Sequence, residues 1–150
     1  MIAQEHTPTV VRPCLRRADF ADPLARWLEE GLAARRDHAP AGAAAVVLVP
    51  EYVHAGAVRV LADLARRDWT GTVVAVVGYG GRTRGRYAIE DAREVLLTAG
   101  AQVLGHALGI DAARVRAHGF EAAGVLLRDA VLDDLVASGP VTTIPPRTAD

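Results

Sequence analysis

Lysine is absent from this chain, and cysteine occurs once, at Cys14. A single cysteine excludes an internal disulfide and fits a reducing, cytoplasmic setting. The missing lysine, set against abundant alanine and arginine, reads as coding bias rather than as function. Nowhere does an apolar run approach the roughly 20 residues of a membrane span. The opening MIAQEHTPTVV has neither the charged start nor the apolar centre of a signal peptide. Charge of one sign is also missing: the formal net charge is −1 and no basic patch stands out, which argues against a nucleic-acid partner. The five histidines and one cysteine show no metal-ligand spacing.

What is present is an apolar, alternating chain. Hydrophobic residues make up 51% of 150 positions, enough for one domain with a core and too many for a disordered segment. Two short valine-rich runs, Ala44–Val49 and Thr72–Val77, are apolar throughout. Such runs joined through a helix predict parallel strands covered on both faces. The pattern predicts strands at Thr7–Arg12, Ala44–Val49, Thr72–Val77 and Gln102–Leu108. It predicts helices from Asp19 or Asp22 to about Arg35, over Ala57–Arg67, over Tyr87–Thr98 with Gly100 ending it, and over Phe120–Ala137. Asp22-Pro23 is read as cap and first helical residue. The inward faces are expected at Leu24, Trp27, Leu28 and Leu32; at Val58, Leu61, Leu64 and Ala65; at Ile89, Ala92, Val95, Leu96 and Ala99; and at Ala123, Leu127, Val131 and Leu135. Residues 139–150 are expected to form an irregular tail of this single domain. The β-α-β-α-β-α-β-α order with right-handed crossovers implies an open doubly wound sheet.

In such sheets ligands sit beyond the carboxyl ends of the strands. Pro50-Glu51-Tyr52-Val53-His54 follows one apolar run and Gly78-Tyr79-Gly80-Gly81 the next. Both should therefore line one cleft. Pro50-Glu51-Tyr52 and Gly78-Tyr79-Gly80-Gly81, at this separation, resemble two loops of the NADPH-dependent FMN reductase family. Arg59 and Asp63 fall where the helix between those loops usually carries a lysine and an aspartate. The resemblance spans about Val46 to Val103. It implies a flavodoxin-like three-layer α/β sandwich, FMN and NADPH as cofactors, a homodimer or larger homo-oligomer, and a flavin ring over Tyr52 and the Gly78–Gly81 loop. It places the flavin phosphate at Pro13-Cys14-Leu15-Arg16-Arg17-Ala18-Asp19, with Arg16 and Arg17 as its cations.

Three departures shape the expectation. The phosphate loop has lost its glycine and serines, Pro13 has no backbone donor, and Asp19 brings a carboxylate where a phosphate would sit. Like charges about 4 Å apart repel by ~4 kcal/mol at an effective dielectric of 20. Val53 stands where the family has an asparagine. Residues 38–43 are too few for the strand that normally follows the first helix. The expected sheet is therefore reduced, mainly four-stranded, with the first strand at an edge.

Three functions stay open on these residues. One is a flavin-dependent oxidoreductase holding its cofactor through Arg16, Arg17, Pro50, Tyr52, Gly78, Tyr79, Gly80 and Gly81. Another is a cofactor-free enzyme in which His54, Glu51 or Asp19 moves protons on a small metabolite, since histidine titrates near neutral pH. The third is a non-catalytic subunit whose shortened edge needs a partner. Arg82, Arg84 and Arg86 could meet a phosphate or simply face solvent. Cys14, His106 and His118 read as structural or exposed.

Overall fold

The computed structural model describes residues 8–13, 20–35, 37, 42–51 and 56–138. Among them the order is β1 (Thr9–Val11), α1 (Ala21–Ala33), β2 (Ala44–Pro50), α2 (Gly56–Arg66), β3 (Val73–Gly80), α3 (Arg86–Thr98), β4 (Gln102–Val103), β5 (Leu108–Asp111), α4 (Ala112–His118) and α5 (Val125–Ala137). A 3-10 turn at Phe120–Ala123 precedes α5. Every strand pairing is parallel. The order is β1-β2-β3, and β4 and β5 share the far side of β3, one against Val73–Val74 and the other against Val77–Gly80. The sheet therefore has four positions, the last filled by a broken strand.

Alternation along β2 and β3 sends side chains to two faces. Val46, Leu48, Ala75 and Val77 meet α1, α4 and α5, while Val47, Val49, Val74 and Val76 meet α2 and α3. The result is a flavodoxin-like three-layer α/β sandwich with a reduced sheet. Both faces of β2 and β3 are covered, which is why those runs are apolar without alternation.

The expectation of uniformly right-handed crossovers needs correction. Steps from β1 to β2, from β2 to β3 and from β3 to its outer neighbours all go the same way across the sheet. Yet α1 lies on one face and α2 and α3 on the other. The crossover through α1 therefore has the opposite hand to the other two, against a rule obeyed by about 98% of such units. The shortened connection explains it. In a full flavodoxin order, 2-1-3-4-5, the first helix leads outward to a strand beyond the first. Among the described residues no strand stands there, and α1, on the face it shares with α5, leads inward to β2. β1 is left at an edge, as the sequence implies.

Other differences are local. α1 buries Leu24, Trp27, Leu28 and Leu32 as expected, but it starts at Ala21 with Phe20 as its cap residue and no side-chain cap bond. Asp22 pairs with Arg12 instead. α2 is rotated from the expected face: Val60 and Leu64 are buried, and Val58 is 70% exposed. The expected fourth strand is interrupted between β4 and β5, and α4 was not foreseen at all. The expected single helix from Phe120 breaks at Gly124, whose φ of 92° caps α5 from the left-handed region. That break turns Leu127 outward and puts Val131, Leu132 and Leu135 in the core. Arg35 and Arg128 tie α1 to α5. Arg35 donates to Asp133 at 2.7 Å, and the Arg128 guanidinium lies 4.9 Å from the centre of the Trp27 ring.

Candidate functional site

Three strand tips end level with one another. Pro50 is in register with Tyr79, and Gly80 with Asp111. The Glu51 amide continues the ladder, donating to the Tyr79 carbonyl at 2.7 Å, and the nitrogen of Pro50 faces away from β3, so its missing N–H costs this pairing nothing. α4 starts directly after β5, with Asp111 as its cap accepting from the Arg114 amide at 3.1 Å. A hollow of about 300 Å³ lies over these tips, lined by Phe20, Pro50, Tyr79, Gly80, Ala113 and Arg116 among others.

Glu51 is fully engaged. One carboxylate oxygen accepts from the Gly81 amide at 2.6 Å. The other accepts from the Thr83 amide at 3.1 Å and from the Thr83 hydroxyl. The Thr83 hydroxyl and the Gly81 amide hold the Glu51 pKa below its ordinary value of 4.5, against the opposing effect of burial. At neutral pH this carboxylate is an ionised clasp on the turn after β3. That is poor equipment for the proton transfer expected of it.

The glycines serve the same turn. A side chain at Gly80 would run into the Glu51 side chain. One at Gly78 would lie 2.7 Å from Ile89 on α3 and 3.0 Å from the Arg84 carbonyl. Gly85 combines a φ of 76° with an approach of 2.8 Å to the Tyr79 amide nitrogen. In each case the space a side chain would fill holds the protein's own atoms, so the 81–85 turn folds down onto the strand tips.

Tyr79 has the other role. It is 8% exposed and packs 5.7 Å from the Phe20 ring, centre to centre. Burial pushes its phenol up to about 12, although the Arg12 charge works against the rise. Among the described residues the hydroxyl has no hydrogen-bond partner, and the residue lines the hollow. The Arg116 guanidinium lies 5.4 Å from the Phe20 ring centre, at the same hollow.

The structure thus brings together Pro50, Glu51, Tyr79, Gly80 and Gly81, and sets Gly78 beneath the turn, against α3. Arg16, Arg17, Tyr52 and His54 lie outside the described residues. Arg84 and Arg86 line a different groove, beside α3. Sequence reading missed Thr83, Phe20 and Arg116. Arg116 was legible in principle: Asp111 followed by an alanine-rich run ending at Gly119 is a capped helix signal.

The amides of the second loop are already engaged within the protein. The Gly81 and Thr83 amides donate to Glu51 and are not free to hold a ligand. No group of three or more histidine, cysteine, aspartate or glutamate side chains among the described residues is placed to hold a metal ion. Comparison with protein-family models, curated proteins and solved structures finds no match to this chain.

Proposed function

We propose that this chain is a flavodoxin-like binding domain whose cleft takes a small planar anion. The carrying observation is Tyr79: a buried, protonated phenol at the cleft whose hydroxyl is unpartnered among the described residues. A buried hydroxyl without a partner is costly, about 1–3 kcal/mol, and a ligand acceptor removes that cost. Arg116, held over Phe20, supplies the charge that selects an anion, and Phe20, Pro50 and Tyr79 supply an apolar floor. The relation to NADPH-dependent FMN reductases belongs to this reading as descent of the cleft. Oxidoreductase activity would follow if FMN itself is the anion bound.

The test is a titration of the purified protein with FMN and with a panel of aromatic carboxylates and phosphates, followed by calorimetry and thermal shift. A bound member of the panel should lose at least about tenfold in affinity in Arg116→Ala, the equivalent of 1.4 kcal/mol. Tyr79→Phe should weaken it similarly. Binding that is indifferent to both substitutions, or no binding by any member, overturns the proposal.

A further inference from the structure

Away from the cleft, a groove of about 920 Å³ runs along the outer edge of β5. One wall is α3 with the turn before it, the other is α5, and Leu108 and Gly109 of β5 form part of the floor. Its charges are segregated. The α3 wall carries Arg84, Arg86 and Arg93 against one acid, Glu90. The α5 wall carries Asp133 and Asp134. Internal pairing uses only part of this charge: Arg86 is 3.8 Å from Glu90, His106 is 3.7 Å from Asp134, and Arg35 takes Asp133. Leu127, 61% exposed, adds an apolar contact on the α5 wall.

We propose that a second copy of this chain docks on this groove about a two-fold axis running along the strands. The charges choose both the occupant and the axis. A two-fold axis along β5 carries the α3 wall of one copy to the α5 wall of the other, and keeps each residue at its own height. Arg93 and Asp134 stand at one height, because Arg93 donates to the Gly105 carbonyl at 3.3 Å while Asp134 meets the adjacent His106. Arg93 of each copy therefore faces Asp134 of the other, twice per dimer. An axis perpendicular to the sheet would extend the sheet edge to edge, but it would set arginines against arginines and aspartates against aspartates. This surface is independent of the cleft, and its test does not depend on the ligand.

Sedimentation equilibrium of the full chain, over a range of concentrations and at low and high salt, reads the outcome. Wild type should be dimeric, and weaker in high salt. Arg93→Glu and Asp134→Arg should each raise the dimer Kd about tenfold or more, and the double variant R93E/D134R should restore it. Circular dichroism checks that the reversals fold. Leu127→Ser, at an exposed position outside the core, should weaken the dimer without touching the fold. A monomer at every concentration overturns the proposal and leaves the groove to another occupant. So does a dimer indifferent to the reversals, a double variant that fails to recover, or a dimer strengthened by Arg93→Glu, which would mark the perpendicular axis.

Discussion

Replacing Glu51 by glutamine isolates the clasp between the second and third strand tips. The side chain keeps its length and loses its charge, and one of its two ends now presents a donor. It cannot accept from the Gly81 amide at one end and from Thr83 at the other, as the carboxylate does. Hydrogen bonds to a charged group are worth about 1.5–3 kcal/mol. Glu51 is half-exposed, so water compensates part of the loss and the net cost should be about 1–2 kcal/mol. For a chain of this size that lowers Tm by roughly 2–8 °C, at 2–4 °C per kcal/mol. The pH dependence is the sharper signature. The folded-state pKa lies below the ordinary 4.5, so the stabilisation is complete above that value and disappears as pH falls through the lower folded one. Urea denaturation of wild type and Glu51→Gln, from neutral pH down to roughly pH 3, should show two curves that converge in acid. Amide exchange at Gly81 and Thr83 should accelerate in the variant at neutral pH. A stability gap that is absent at pH 7, or that persists unchanged in acid, would refute the clasp.

Further outcomes follow from the same geometry. Gly85→Ala should cost about 1–3 kcal/mol in chemical denaturation, because it adds a methyl near the Tyr79 backbone at a positive φ. Leu96→Ala, fully buried between α3 and the sheet, should cost about 2–5 kcal/mol, whereas Leu126→Ala, at 84% exposure, should stay within about 0.5 kcal/mol. Tyr79 should remain a phenol until about pH 12 by ultraviolet titration. Its pKa is raised from 10.0, so its contribution is intact below 10 and is lost as pH climbs toward 12. Tyr79→Phe should flatten that alkaline loss of stability.

The sequence by itself determined the layered parallel architecture. Ala44–Val49 and Thr72–Val77 are apolar on both alternating faces, and only a strand buried between helices requires that. It also located the cleft, because Pro50 and Gly78 sit where those runs stop. The inward residues of α1 and α3 followed from their spacing alone. Tertiary structure decided the rest. Whether a carboxylate trades protons or clasps a turn depends on Gly81 and Thr83, 30 and 32 residues away in the chain and adjacent only once β2 and β3 pair. Glycines that look permissive toward a ligand turned out to make room for the protein's own turn. The face of α2 and the break at Gly124 depended on how helices settle against a sheet, which local periodicity underdetermines. The hand of the first crossover was likewise a contest between strand twist and the packing of α1 on α5. α1 packs on the face it shares with α5, and no local periodicity encodes which face that is.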